Sequence, residues 1–180
     1  MIQDLYQKAI QFAGEKHHNQ KVPGSNSNYV LHLSNVAMEV LMAYQNEPDF
    51  NLALAIQIAL LHDTLEDTDT SFNDIEATFG LSIAEGVQAL TKNNTIPIKS
   101  ERMLDSLNRI NSLEKEVGLV KLADRITNLQ QPPSLWNPEK IKAYHEEAIL
   151  IAFKLQDKNN YLNVRLQFKI DDYAKYVHQA

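Results

Sequence analysis

The chain has 180 residues, of which 44% are hydrophobic, and a formal net charge of −6. The absence of cysteine excludes disulfides, zinc–thiolate sites and cysteine nucleophiles, and the acidic balance disfavours a nucleic-acid polymer as a partner. No stretch reaches the ~18 apolar residues of a membrane span, and the first residues lack a signal pattern, so we expect one cytoplasmic domain over residues 1–180 with no membrane partner.

Helical periodicity accounts for most of the sequence, and the scarcity of glycine (5) and proline (6) favours an all-α fold. The clearest loop covers residues 19–28, and Pro132-Pro133 is a firm helix stop. Residues 51–63 are apolar on almost every side, which predicts a central, buried helix. The predicted helices cover residues 2–18, 28–46, 51–63, 72–79, 82–92, 100–115, 118–129, 138–156 and 158–177.

A polar string, HDTLED at residues 62–67, follows directly on the apolar run Leu54–Leu61. Ionisable side chains are costly in a buried setting unless they find a partner. A metal ion turns imidazoles and carboxylates from a penalty into ligands. His62 and Asp63 point about 100° apart on a helix and can face one centre beside it. We therefore predict that both bind a metal ion, together with donors from other helices.

Two further candidate ligands, His32 and Asp124, stand out because they sit among apolar residues. A shell of two imidazoles and two carboxylates suits Mn²⁺, Fe²⁺, Co²⁺, Ni²⁺ or Zn²⁺ better than Ca²⁺. Four protein ligands leave positions open on a six-coordinate ion, where a bound water has a lowered pKa. Glu66 and Asp67, one helical turn after Asp63, are the predicted catalytic acids that orient or deprotonate this water or protonate a leaving group. The pattern predicts hydrolysis of a phosphate ester or anhydride.

Each feature also has a simpler interpretation when taken alone. A single histidine on an apolar face, such as His32, is more often a packed core residue than a ligand. Asp124-Arg125 is typical of a structural ion pair, and the acidic run after Asp63 is typical of a helix cap. The order His, His-Asp, Glu-Asp, Asp within or beside apolar helices is what favours a metal site. The remaining histidines are predicted to be surface or loop residues: His17, His18, His145 and His178.

The residues resemble the HD-type hydrolase domain of the RelA/SpoT proteins, in the stand-alone small alarmone hydrolase form found in metazoan SpoT homologues. The matching segments are YVLH at residues 29–32, ALLHDTLEDT at 59–68, FG at 79–80, LTK at 90–92 and VKLADRITNL at 120–129. The correspondence covers roughly residues 5 to 155 in the family's order, and the two long strings are its most specific parts.

The resemblance implies an all-helical HD bundle of about eight helices, with its core at about residues 5–155 and C-terminal helices reaching residue 178. It implies Mn²⁺, or another divalent transition metal, held by His32, His62, Asp63 and Asp124. It also implies removal of the 3′-pyrophosphate from guanosine 3′,5′-bis(diphosphate), with Asn128 contacting the nucleotide. We expect no synthetase domain to follow, hence a hydrolase without the opposing activity, and the oligomeric state stays open.

The segment before the first ligand histidine departs from the family pattern. Where the family carries an Arg-Lys pair, residues 20–28 contain a single basic residue, Lys21, which the resemblance makes a substrate-binding candidate. Leu33 stands where the family has proline, and Thr127 replaces a common histidine beside Asn128. Two alternatives therefore stay open: the same chemistry on another nucleotide or dinucleotide phosphate, and a non-catalytic nucleotide-binding HD protein.

Overall fold

The computed structural model describes residues 1–179, and these form an all-helical assembly. The segments are α1 (Ile2–Lys16), α2 (Val30–Asn46), α3 (Leu52–Leu61), α4 (Thr64–Asp67), α5 (Phe72–Phe79), α6 (Leu81–Leu90), α7 (Lys99–Asn111), α8 (Lys115–Asn128), α9 (Pro138–Lys154) and α10 (Asn160–Gln179). Within the described range the only β feature is an isolated antiparallel bridge between Lys21 and Asn28. The predicted all-α class is confirmed. The segments outnumber the predicted eight or so, partly because α4 is a separate single turn.

The helix ends follow from local chemistry. Asn51 caps α3 by accepting a hydrogen bond from the Leu54 N–H at 3.2 Å, and Ser71 and Asp74 form a capping box at the start of α5. Gly80 has a φ of 95°, a conformation that favours glycine, and it separates α5 from α6 as the sequence indicated.

Two helices form the centre of the bundle. All residues of α3 from Ala55 to Leu61 are buried, as its apolar pattern predicted, and it packs against α1, α2, α6 and α8. In α8, every residue from Glu116 to Ile126 is buried, including four charged side chains. Burial of charge on this scale requires partners. The contact between α3 and α8 brings the HDTLED string beside the ADRITN string.

Neighbouring helices complete the core around this pair. A Cβ on Gly86 of α6 would lie 2.6 Å from Ile58 Cδ1, so the absence of a side chain there allows α6 to approach α3 closely. At the other end of the chain, α10 packs on α8 and α9 and adds four buried residues to the core. These are Leu162, Leu166, Ile170 and Tyr173. Among residues 1–179, no helix has both the length and the apolar character needed to cross a bilayer.

Candidate metal centre

Four donor atoms from three parts of the chain meet between α2, α3 and α8. His32 lies near the start of α2, His62 and Asp63 occupy the turn between α3 and α4, and Asp124 lies in α8. The His32 and His62 Nε2 atoms are 3.3 Å apart. Asp63 Oδ2 is 3.6 Å and 3.0 Å from these two nitrogens, and Asp124 Oδ1 is 3.5 Å and 3.6 Å from them. The structure therefore brings together all four candidate ligands, which we call the cluster.

The orientation of His62 is set by the backbone of its own helix. His62 is 3% exposed, and its Nδ1 lies 2.8 Å from the carbonyl oxygen of Ala59. Because a carbonyl only accepts, Nδ1 carries the hydrogen in this bond. The Nε2 atom is thereby directed at the cluster as the potential ligand, an arrangement common for metal-binding histidines.

The two carboxylates are held by further hydrogen bonds. The Tyr29 hydroxyl donates to Asp63 Oδ2 at 2.5 Å. Asp124 receives the ammonium of the buried Lys121 on Oδ2 at 3.0 Å and the Asn128 amide on Oδ1 at 2.5 Å. Such outer partners orient ligands and adjust their basicity. In this structure Asn128, which we expected to contact the nucleotide, donates to a candidate ligand.

The electrostatics of the cluster couple its acids to its bases. Burial opposes charge on every member, but the neighbouring opposite charges outweigh it. His62 and His32 hold the pKa of Asp63 well below its usual range, and Lys121 together with the same histidines does so for Asp124. In return, the two carboxylates raise the pKa of His62 to about 10 and also raise the pKa of His32.

The chemistry of the donor set fits a divalent transition-metal ion. Nitrogen and oxygen donors in this mixture suit the metals from Mn²⁺ to Zn²⁺, and three of the four, His32, His62 and Asp124, each present a ligand atom within 4.8 Å of the others while being buried. A dipositive ion balances two buried carboxylates without imidazole protons. Binding would release those protons, so the affinity of the cluster for metal depends on pH.

The two predicted catalytic acids lie on α4, directly beside the cluster, but have different partners. Glu66 accepts hydrogen bonds from both the backbone N–H and the ammonium of Lys92, each at 3.1 Å. Asp67 is exposed, and its Oδ2 accepts a hydrogen bond from the Gln20 amide at 2.7 Å. Glu66 is thus paired with a cation, whereas Asp67 meets a neutral amide and solvent.

Lys21, the predicted substrate contact in the 20–28 loop, is exposed. Its ammonium lies 3.4 Å from Asn26 Oδ1, within the same loop. The loop is closed by the bridge between Lys21 and Asn28, and Gly24, with a φ of 76°, packs near Pro133. The structure therefore places Lys21 at the surface and gives it no partner in the cluster among the hydrogen bonds of the described residues.

The prediction that His17 is a surface or loop residue is wrong. His17 is 1% exposed, because the chain turns back after α1 and Tyr29 covers the imidazole, with ring centroids 5.0 Å apart. His145 is half-buried and has its Nε2 3.1 Å from the Ile170 carbonyl oxygen. His18 is exposed as predicted.

Three supporting residues were missed in the sequence. Lys121 precedes Asp124 by three positions, and this i,i+3 spacing on a helix was an available signal. Lys92 and Glu66 are separated by 26 residues, and Tyr29 and Asp63 by 34, so their contacts have no local signature. Tyr29 read as an ordinary apolar position because its ring is buried and only the hydroxyl acts as a donor.

Arg125 follows Asp124 in α8 and joins this helix to α9. It is 3% exposed, forms an ion pair with Glu147 and lies with its guanidinium carbon 4.2 Å from the centroid of the Tyr144 ring. Burial works against its charge, but Tyr144 and Glu147 raise its pKa. Arg125 therefore connects the helix that carries Asp124 to its neighbour.

Residues 9–154 match a family model described as the HD domain, a range that includes every residue of the cluster. Guanosine-3′,5′-bis(diphosphate) 3′-pyrophosphohydrolase MESH1 of Danio rerio is 33% identical over 165 residues, covering 89% of this chain and 89% of its own. MESH1 of Homo sapiens is 31% identical with the same coverage of both chains. A guanosine-3′,5′-bis(diphosphate) 3′-pyrophosphohydrolase of Aquifex aeolicus is 33% identical over 96% of this chain, which corresponds to 24% of that longer protein.

Two solved structures have a fold similar to that of this chain. One, described as a metazoan ortholog of SpoT that hydrolyzes ppGpp and plays a role in starvation responses, superposes with a TM-score of 0.78 at 27% identity, covering 93% of this chain and 94% of the other. A protein of Listeria monocytogenes superposes with a TM-score of 0.59 at 22% identity and supports the fold alone. The similarity thus extends well beyond the HDTLED and ADRITN strings.

Proposed function

This chain belongs to the HD-domain family, and from that membership we propose that it is a metal-dependent phosphohydrolase that removes the 3′-pyrophosphate from guanosine 3′,5′-bis(diphosphate). The observation that carries the proposal is the convergence of His32, His62, Asp63 and Asp124. The two imidazole Nε2 atoms lie 3.3 Å apart and 3.0–3.6 Å from an oxygen of each carboxylate. The relatives that align with 89% of this chain are named as guanosine-3′,5′-bis(diphosphate) 3′-pyrophosphohydrolases, and this supports the proposed substrate.

We propose the four members of the cluster as metal ligands and Mn²⁺ as the ion. Mixed imidazole and carboxylate donors also accept Fe²⁺, Co²⁺, Ni²⁺ or Zn²⁺, so availability contributes to the choice. When bound, such an ion supplies Lewis acidity, which polarises a phosphate group and lowers the pKa of water. The protein contributes rigid ligand orientation, since His62, Asp63 and Asp124 each have a hydrogen-bond partner outside the cluster.

Glu66 and Asp67 are the proposed catalytic residues. Lys92 holds the Glu66 carboxylate in place by two hydrogen bonds, one from its backbone N–H and one from its ammonium. Asp67 is open to solvent and to an incoming substrate. In the proposed reaction these carboxylates orient the attacking water and accept its proton, and one of them returns a proton to the departing oxygen.

Asn128 and Lys21 are the proposed substrate contacts. The Asn128 amide nitrogen carries two hydrogens, and one of them is directed at Asp124. The second is proposed to bind the nucleotide, so that substrate and ligand are linked through a single side chain. The ammonium of Lys21, on an exposed loop, is proposed to pair with a phosphate group of the substrate.

A second candidate function is the same hydrolysis on another nucleotide or dinucleotide phosphate. It is favoured by the 20–28 loop, which offers one exposed lysine whose ammonium faces Asn26. A non-catalytic nucleotide-binding protein is less well supported, because it has no need for two acids beside the cluster.

The test is pyrophosphate or phosphate release from a panel of guanosine and adenosine nucleotides, with Mn²⁺ present and after chelation. The proposal expects pyrophosphate from guanosine 3′,5′-bis(diphosphate), loss of the activity on chelation and its return with Mn²⁺. Faster turnover of another nucleotide would establish the second candidate. If no member of the panel reacts while the protein holds stoichiometric metal, both hydrolase proposals fail.

A further inference from the structure

Two consecutive hydrogen bonds connect a buried histidine to one of the proposed catalytic acids. His17, at the C-terminal end of α1, is 1% exposed and stacks on Tyr29 at an interplanar angle of 28°. Its Nδ1 lies 2.6 Å from Gln20 Oε1, and Gln20 Nε2 donates to Asp67 Oδ2 at 2.7 Å. A phenyl ring would pack against Tyr29 as well as the His17 imidazole does. The hydrogen bond from His17 to Gln20 therefore points to a role other than packing.

The orientation of the Gln20 amide determines the direction of every bond in this chain. An ionised carboxylate only accepts, so the nitrogen of the amide faces Asp67 and its oxygen faces His17. Since that oxygen also only accepts, His17 carries its hydrogen on Nδ1. The chain of bonds thus runs from the His17 N–H to the Gln20 carbonyl and from the Gln20 N–H to the Asp67 carboxylate.

The other ring nitrogen of His17 supports the same direction. Within the described part of the chain, His17 Nε2 is buried and has no hydrogen-bond partner. A buried N–H without an acceptor is rarer in proteins than an acceptor without its full set of donors. The tautomer with hydrogen on Nδ1 leaves only a lone pair at Nε2, whereas the opposite tautomer buries an unpaired N–H there.

We propose, on the basis of the function proposed above, that His17 and Gln20 are positioning residues for Asp67. The His17 Nδ1–H prevents the Gln20 amide from reversing. The amide in its observed orientation donates to the carboxylate form of Asp67 and aims it so that it accepts the proton of the attacking water. A reversed amide would present its oxygen to Asp67, where it can pair only with the protonated acid.

A pair of substitutions at His17 separates the hydrogen bond from the packing. His17→Phe keeps a ring against Tyr29 but removes the donor, and it is expected to lower kcat about tenfold with KM changed less than twofold and metal content unchanged. His17→Asn places an amide N–H near the position of Nδ1 and is expected to restore kcat to within about threefold of wild type. The matched control is His18→Phe, because His18 is exposed and its imidazole bonds to Asn19 and to the Glu15 carbonyl, outside the Gln20–Asp67 contact; kcat should not change.

Combining changes tests whether His17 acts through Gln20. Gln20→Met removes the amide with little change in shape and is expected to lower kcat at least as much as His17→Phe. If the imidazole acts only through this amide, the double variant His17→Phe with Gln20→Met has the kcat of Gln20→Met alone. Losses that multiply in the double variant, or a His17→Asn variant as slow as His17→Phe, would overturn the inference.

A measurement without substrate keeps this inference separate from the proposed function. Long-range ¹⁵N–¹H correlation spectra of the protein loaded with diamagnetic Zn²⁺ report the tautomer of each histidine, and the signals of His17 are identified by their loss in His17→Asn. We expect hydrogen on Nδ1 in the wild type, and a mixture of tautomers in Gln20→Met. Hydrogen on Nε2 in the wild type overturns the proposed bond direction, whether or not any nucleotide is hydrolysed.

Discussion

Replacing Glu66 with glutamine tests the proposed chemistry without altering the cluster. Glu66 is not a proposed ligand, and its carboxylate is bonded to Lys92 through the backbone N–H and the ammonium, both at 3.1 Å. In Glu66→Gln one amide oxygen can still accept from Lys92. The negative charge that accepts a proton is removed, while the size of the side chain is kept.

The expected stability change is small and the expected rate change is large. The side chains of Lys92 and Glu66 are 39% and 25% exposed, so the ion pair contributes about 0.5–1 kcal/mol. For a protein of this length, loss of that contribution lowers Tm by about 1–4 °C. Positioned acids and bases contribute about 100- to 10,000-fold in rate. We therefore expect kcat to fall within that range while the metal content stays at one ion per chain.

The assay combines pyrophosphate release under saturating nucleotide, metal content by elemental analysis and Tm by calorimetry. Lys92→Met is the matched control, since it removes the same ion pair and leaves the carboxylate in place; we expect a similar loss in Tm but a much smaller loss in kcat. Wild-type kcat in Glu66→Gln would remove Glu66 from the mechanism. Loss of metal from this variant would show that Glu66 belongs to the coordination shell instead.

Four further predictions follow from the same geometry. Because the pKa of His62 is raised to about 10, metal binding displaces protons at neutral pH, and the affinity for metal should rise as pH increases from 6 to 8. Calorimetry in buffers of different ionisation enthalpy should detect the released protons. A metal affinity that does not depend on pH would contradict this. The same raised pKa stabilises the metal-free fold fully below about pH 6.5, and chemical denaturation should show this contribution lost as pH rises towards 10. Tyr29→Phe removes one hydrogen bond to Asp63 and should weaken metal binding by about 10-fold in a competition titration, while an unchanged affinity would assign the hydroxyl no role in the site. Arg125→Lys loses the guanidinium contacts with Glu147 and the Tyr144 ring and should lower the free energy of unfolding by about 2 kcal/mol in denaturant titrations, whereas wild-type stability would show that charge alone suffices there.

Much of the fold could be predicted from the sequence because each helix carries its own signal. The apolar run of α3 predicts a central helix, and Gly80 and the Pro132-Pro133 pair mark boundaries that the structure reproduces. The break between α3 and α4 was not predicted. The backbone leaves the helix at His62 and Asp63, where both side chains turn towards the cluster, and composition alone does not reveal this turn.

The site was predictable where polar residues interrupt apolar surroundings, as at His32 and Asp124. It was not predictable where a residue acts across the fold. His17 lies between Lys16 and His18 at the end of a helix, and all three look equally suited to solvent in the sequence. Only the return of the chain, which brings Tyr29 over the imidazole, makes His17 a buried residue. Tertiary contact, not local pattern, decides such cases.

The central claim is that one metal ion is held jointly by His32, His62, Asp63 and Asp124. Crystals of the Mn²⁺-loaded protein, measured on both sides of the manganese absorption edge, test this claim directly. We predict a single anomalous peak per chain at about 2.0–2.2 Å from both Nε2 atoms and from one oxygen of each carboxylate. A peak that leaves Asp124 unbound, or no peak between α3 and α8 at saturating Mn²⁺, would contradict the account.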